Sequence, residues 1–161
     1  MMMEEHEQTL TRLLRQEESL QFTTFNNDDA LTLGTRMVEE ARKLHHGVTI
    51  DICRNGQQLF HAALPGTAAD NDEWIKRKNR VVNRFGHSSF YMGQYYASRN
   101  TTILESALLD PREYAAHGGA FPVIVRGIGP VGTITVSGLP QREDHEFVVR
   151  MIASYLGVTL E

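Results

Sequence analysis

The sequence has little of what would announce a chemistry. One residue of its 161 is cysteine, Cys53, so no internal disulfide can form and a reducing compartment is the natural setting. No apolar run approaches the ~18 residues needed to span a bilayer. The opening "MMMEEHEQ" is acidic where a secretion leader is basic and then apolar, so the cytoplasm is the default expectation. Basic residues are in deficit: 16 Lys and Arg against 20 Asp and Glu leave a net charge of −4. Nucleic acid, whose phosphates require a basic footprint, is therefore not the expected partner. Tandem repeats, low-complexity tracts and linkers are absent as well. What is present, 41% hydrophobic and 22% charged residues, suits one globular domain over residues 1–161 with a real core.

Periodicity supplies the elements. Leu10, Leu13 and Leu14 form one narrow stripe in a helix over 4–19, and "LQFTTF" alternates as a short strand. "NNDD" at 26–29 supplies cap oxygens for a second helix carrying Leu33, Met37, Ala41 and Leu44, with Gly47 expected to end it. Gly34 inside that helix costs propensity, which predicts a close packing contact. In "VTIDICRNGQQLFHAAL" the pair Asn55-Gly56 is a preferred hairpin turn. A regular register from that turn sets Ile52 opposite Leu59 and Ile50 opposite His61. Val48, Ile50, Ile52, Leu59, His61 and Ala63 then share the core face, and Asp51, Cys53, Phe60 and Ala62 the other. Further helices are predicted over about 71–85, 88–99 and 142–156, with a short one started by "DPRE" at 110–113. Two more strands, about 121–126 and 131–137, flank "GIGP". Two hairpins and one extra strand predict an α+β fold, a mostly antiparallel five-stranded sheet with helices packed on it.

The stretch "HGGAFPVIVRGIGPVGTITVSGLP" holds six of the thirteen glycines. Its "GGAF" and "GIGPVG" match neither the dinucleotide pattern nor the Lys-bearing phosphate loop, and no helix is launched after them. β-branched runs bounded by glycine and proline read as turn-linked strands, so the stretch is mainly scaffold. Gly118 and Gly119 let backbone pass close to something, and Gly132 inside a strand predicts a bulge or a close neighbour.

"NGQQLFHAALPGTAADNDEWIKRKNRVVNRFGHSS", "DPREYAAHGGAFPVIV" and "GPVGTITVSGLPQREDH" resemble the haem-degrading (HbpS/GlcG-like) family, in particular a branch of small proteins within it. The likeness covers nearly the whole chain after residue 20. It implies a profilin-like fold, assembly into symmetric homo-oligomers, and haem, iron or corrinoid binding among distant relatives. It implies no single reaction.

Helix "NDEWIKRKNRVVNRF" is the strongest constellation. Lys76, Arg80 and Arg84 recur at four-residue steps as a basic stripe, which reads either as a solvated face or as an anion site. Trp74, Lys78, Val81 and Phe85 share a different, mostly apolar face, so Lys78 is expected to bury its stem and reach a pocket with its ammonium. The resemblance points to a lysine on this helix, and Lys78 matches. The regular register puts His61 on the core side, either as a hydrogen-bonded core histidine or as a haem or metal ligand. His117, before Gly118 and Gly119, either meets the last carbonyls of a helix or lines a pocket that the glycines open. Glu4 and Glu7 have the acidic spacing of iron sites in relatives, on what reads as a solvated terminus. Phe90, Tyr91, Tyr95 and Tyr96 crowd one helix in too many directions for a single core stripe: either the helix is buried on both sides or part of it makes a subunit interface, the reading favoured here. Cys53, Ser88, Ser89 and Ser137 lack the partner spacing of nucleophiles.

The leading expectation is an oligomer that binds a small anionic ligand or cofactor, with haem put forward by the resemblance. Its site residues would be His61, Lys78, Arg80, His117, Gly118 and Gly119, with His61 and His117 as the metal-ligand candidates. The rivals are an assembly module without small-molecule chemistry, and an enzyme using Lys78, Arg80 and His117 on a carboxylate or phosphate.

Overall fold

The computed structural model describes residues 2–160. In chain order it contains α1 (Met2–Ser19), β1 (Gln21–Phe22), α2 (Asn27–Lys43), β2 (Thr49–Arg54), β3 (Gln57–Ala63) and α3 (Ala69–Phe85). There follow α4 (Ser89–Ser98), α5 (Ile103–Ala107), β4 (Ala120–Val125), β5 (Gly129–Ser137) and α6 (Gln141–Leu156). The strands form one sheet in the order β1-β4-β5-β2-β3. Only β1 and β4 run parallel; the other three pairings are antiparallel. The result is the α+β architecture expected from the element order.

The two faces of the sheet differ in chemistry. Ile50, Ile52, Phe121, Val123, Ile134 and Val136 point into the main core, with Leu33, Met37, Phe147, Val148 and Ile152 from α2 and α6. The opposite face presents buried Thr49, Asp51, Thr133, Thr135 and Ser137 and is covered by α3, which packs across β2, β4 and β5. A second, smaller core joins Val81 of α3 to Met92 and Tyr96 of α4, with Ile103 and Leu109 beyond. Asn71 and Asn79 of α3 bond Ser137, Asp51 and Thr135 on this face, which brings that helix's functional groups against the sheet. The Thr49 and Thr133 hydroxyls have no partner among the described residues.

Local signals explain most helix ends. The Asn26 side chain accepts from the Asp29 amide while the Asp29 carboxylate accepts from the Asn26 amide, a closed capping box. Ser88 caps α4, and Gly86 ends α3 in the left-handed region. The phenyl ring of Phe60 lies directly on Gly34, which is the close contact that the helical glycine predicted.

Four expectations are corrected. The hairpin keeps its turn, with Arg54 opposite Gln57 and Cys53 opposite Gln58, but a bulge follows, so that Ile52 pairs with Phe60. Leu59 is the extra residue, and one extra residue reverses every side chain beyond it. Phe60 therefore joins the core side and His61 stands opposite Asp51 on the α3 side. "DPRE" makes a turn and not a helix, because the Ala115 amide donates to the Arg77 carbonyl of α3 (3.1 Å) instead of continuing a helical ladder. α2 ends before Gly47, with His45 taking the left-handed conformation (φ 58°). The strand read into "LQFTTF" shrinks to two residues. α5, a five-residue helix capped by Thr102, was missed because one turn is too short to show a period.

Gly132 sits in β5 between β4 and β2, opposite Arg54. A methyl group there would be driven into the Cys53 carbonyl and to 2.9 Å from the Arg54 Cα, both main-chain atoms of a central strand. Gly132→Ala is expected to cost ~1–3 kcal/mol, seen as a lower urea midpoint at unchanged slope. A midpoint equal to wild type would show that the strands separate freely.

Candidate functional site

The first half of α3, the loop 117–119, the end of β5 and the start of α6 enclose a cleft of about 410 Å³, whose lining includes Asn71, Trp74, Lys78, His117, Gln141 and Asp144. Helical spacing brings Trp74 and Lys78 to the same side of α3. Lys78 is only 3% exposed. Its Nζ donates to the Val136 carbonyl (3.1 Å) and to Asp144 Oδ2 (3.2 Å). Asp144 Oδ1 accepts from the Leu139 amide at 3.0 Å. Placing that carboxylate in the first turn of α6 sets it at the positive end of the helix dipole. Burial lowers the Lys78 ammonium below its usual range against the attraction of Asp144, and burial raises Asp144 against the attraction of Lys78. Both groups are thus drawn toward their neutral forms, as desolvation requires.

The glycines that follow His117 allow this pair to be roofed by main chain. Gly119 adopts φ 139°, and a side chain on it would strike both the Val136 carbonyl and the Lys78 ammonium. The Gly118 amide donates to Gln141 Oε1 at 2.9 Å, tying the loop to α6. His117 is exposed at the mouth, with its ring edge-on to Trp74 (centroids 5.4 Å apart). The Arg77 guanidinium lies 4.1 Å above the same indole. Partial desolvation and then the charges of Lys78 and Arg77 hold the His117 imidazole below its ordinary range. Among the described residues neither of its ring nitrogens has a hydrogen-bond partner. The cleft therefore offers a neutral imidazole and an indole above a buried ion pair, with the Arg77 guanidinium stacked on the indole but outside the cleft wall.

A family model of haem-degrading HbpS-like proteins matches residues 25–153. The chain belongs to the HbpS-like family. Among family members, a UPF0303 protein of Streptomyces coelicolor is 55% identical over 149 residues, covering 92% of this chain and 94% of the relative. A UPF0303 protein of Edwardsiella ictaluri is 49% identical over 152 residues, covering 94% and 97%. Among solved structures, the Ybr137w protein superposes with a TM-score of 0.86 at 38% identity, covering 92% of this chain and 88% of that one. HbpS itself gives 0.65 at 24% identity (85% and 93% covered), and a PduOC:heme complex gives 0.68 at 18% identity (86% and 99% covered). The last two likenesses concern the fold alone.

Of the residues singled out in the sequence, Lys78, His117, Gly118 and Gly119 come together, and His61 and Arg80 do not join them. His61 Nδ1 lies 2.9 Å from Asp51 Oδ1, and Nε2 lies 2.9 Å from Asp72 Oδ1, with the side chain 30% exposed. It bonds Asp51 of β2, stands beside Asp72 of α3 and is not among the residues of the cleft wall. Arg80 is exposed, and its guanidinium donates to the Glu113 carbonyl (3.2 Å). The trio Lys78, Arg80 and His117 is therefore not assembled. Lys76 pairs with Glu73 at the surface. Among the described residues no three His, Cys, Asp or Glu side chains converge as metal ligands. Burial and Asp51 push the Cys53 thiol up to about 12, far from the range of a nucleophilic thiolate. No helix among the described residues is long and apolar enough to cross a membrane.

The tyrosine-rich helix α4 divides in two. Phe90 (2% exposed) and Tyr96 (5%) are buried within the chain, Phe90 stacked on His145 and Tyr96 in the smaller core. Neither has surface to give to an interface. The interface reading narrows to the half-buried Tyr91 and Tyr95, the latter beneath the Arg99 guanidinium at 4.4 Å. Sequence reading passed over Trp74, Arg77, Gln141 and Asp144 as site residues. Trp74 could have been found from its helical spacing to Lys78. Asp144 could not, because 66 residues separate it from Lys78.

Removing one member of the buried pair leaves the other charge without its counter-ion. Lys78→Met is expected to cost ~3–5 kcal/mol, and adding Asp144→Asn should restore part of that loss. If the double variant loses as much as the two single variants summed, the pair is not coupled.

His145 supplies a pH test. Its Nε2 meets Gln16 Oε1 at 2.8 Å, and Nδ1 is buried without a partner among the described residues. Burial, then Arg12 and Arg142, lowers its pKa from 6.5 to about 3. The unfolded chain therefore binds the proton more readily, so stability is complete above 6.5 and declines as the pH falls from there toward 3. His145→Gln should flatten that decline in urea midpoints taken at neutral and mildly acid pH. Equal slopes in the two proteins would remove His145 from the account.

Proposed function

We propose that the chain binds a small anionic ligand in the cleft between α3 and the 117–119 loop, with haem as the leading candidate. The observation that carries this reading is His117: a neutral, unpartnered imidazole edge-on to Trp74 at the mouth of a cleft. Haem needs an imidazole nitrogen free to ligate iron, a flat apolar wall and a cation for its propionates. His117 and Trp74 of the cleft wall supply the first two and Lys78 beneath them the positive charge, so the residues fit the group. Membership of a haem-degrading family and the fold shared with a haem-bound neighbour support the same choice. Bound haem would supply redox chemistry at its iron, while this chain's residues ligate, stack and neutralise.

The buried pair serves as the floor. Lys78 is committed to Val136 and Asp144, so it adds positive field behind the loop and does not grip the ligand itself. Gly119 keeps the loop low enough for His117 to stay in place. Self-assembly is part of the proposal only through Tyr91 and Tyr95, the half-buried remainder of the aromatic helix.

Titration of the purified protein with haemin is expected to give a shifted Soret band. His117→Ala should weaken binding by about tenfold or more, equivalent to ~1.4 kcal/mol. His61→Ala, away from the cleft, should bind like wild type. An unshifted band at micromolar haemin rejects the reading, as does equal loss in both variants.

A further inference from the structure

Behind the Trp74–His117 edge lies a second cleft, of about 660 Å³, walled by α3, α4, α5 and the 111–117 segment. Its character is different from that of the first. Tyr96, Ile103 and Tyr114 give it an aromatic and aliphatic wall, and Trp74 closes one side. It is held open by real packing: the Ala116 carbonyl sits against Gly93 of α4, where any side chain would collide with it. The Ala115 amide is fixed to the Arg77 carbonyl.

One polar group at this wall has no matching charge. Arg77 lies flat on Trp74 at 4.1 Å. Its Nε makes one long contact to the Glu73 carbonyl (3.4 Å). Glu73's carboxylate is already paired with Lys76 at 3.0 Å. Among the described residues the Arg77 guanidinium has no carboxylate partner. The other charge on the lining, Glu105, accepts from the Thr101 hydroxyl (3.5 Å). A guanidinium stacked on an indole keeps its edge free for a bidentate acceptor, which is a carboxylate or an equivalent oxyanion.

We infer that this second cleft is a binding site for an aromatic carboxylate, its ring system held between Trp74, Ile103 and Tyr114 and its carboxylate on Arg77. The volume falls within the ~300–1,000 Å³ of small-molecule sites, which are apolar with a few fixed polar groups. The inference goes beyond the haem reading and does not rest on it, since no iron ligand is involved.

Trp74 is the only tryptophan of the chain, so its fluorescence reports on this wall directly. The probe is 1-naphthoate, with 1-naphthalenemethanol as the neutral analogue of like shape. Naphthoate should quench Trp74 saturably and bind about tenfold more tightly than the alcohol, the scale of a charge-assisted hydrogen bond. Arg77→Gln should erase that difference while leaving the alcohol's affinity alone. Ala97→Phe, placed on the exposed turn of α4 that lines the cleft, should weaken both ligands by about tenfold without changing the Soret response to haemin. Equal affinity for acid and alcohol in wild type overturns the inference. So does an Arg77→Gln variant that still prefers the acid, or an Ala97→Phe variant that binds both normally. A haemin band that fails to shift speaks only to the first cleft and leaves this assay readable.

Discussion

The buried contact of Lys78 with Asp144 is the constraint around which the functional end of the molecule is arranged. Two charges removed from water must satisfy each other and find further hydrogen bonds, or the fold loses more than their attraction returns. Here the ammonium takes the Val136 carbonyl and the carboxylate takes the Leu139 amide. These partners belong to the end of β5 and the turn into α6. One pair therefore ties the middle of α3 to the last strand and the last helix. The loop above it can only be glycine-rich, because a side chain at Gly119 would occupy the ammonium's own space.

The polar side of the sheet extends the same logic. Asn79 of α3 donates to Asp51 (3.3 Å) and accepts from the Thr135 hydroxyl. Asp51 also accepts from Gln58 (2.7 Å) and meets His61. α3 is thus seated by hydrogen bonds on one side and by Val81 and Val82 on the other. Directional bonds fix the register of a helix more sharply than oil-like contact does, and register decides that Trp74 and Arg77 flank His117. At the far side, α1 is seated in a comparable way: Glu17 accepts from the Ser88 amide (3.2 Å) and contacts His87 at 2.7 Å. That hydrogen bond raises the His87 pKa.

How much was legible depended on the range of the signal. Helix positions in α2, α3, α4 and α6 followed from spacing and caps, and the hairpin turn followed from Asn55-Gly56, since these are settled within about ten residues. Lys78 was legible too, because an apolar face fixes where its stem goes. His61 was misplaced by one inserted residue, as no local pattern marks a bulge at Leu59. Phe90 and Tyr96 were misread because a helix packed on three sides buries residues that a single stripe cannot account for: α4 lies against α1, α3 and α6.

The amino-acid sequence alone determined the kind of protein this is: an α+β chain of the HbpS-like family, with turns, caps and amphipathic faces written in residues close together. It also determined that a lysine would be drawn inward on α3. Only the tertiary structure decided what that lysine meets, which histidine stands at the cleft and which is tied to the sheet, and that Arg77 rests on Trp74 without a counter-charge among the described residues. Such outcomes depend on contacts between segments dozens of residues apart. Burial and hydrogen-bond satisfaction over the whole chain select those contacts, and no local periodicity encodes them.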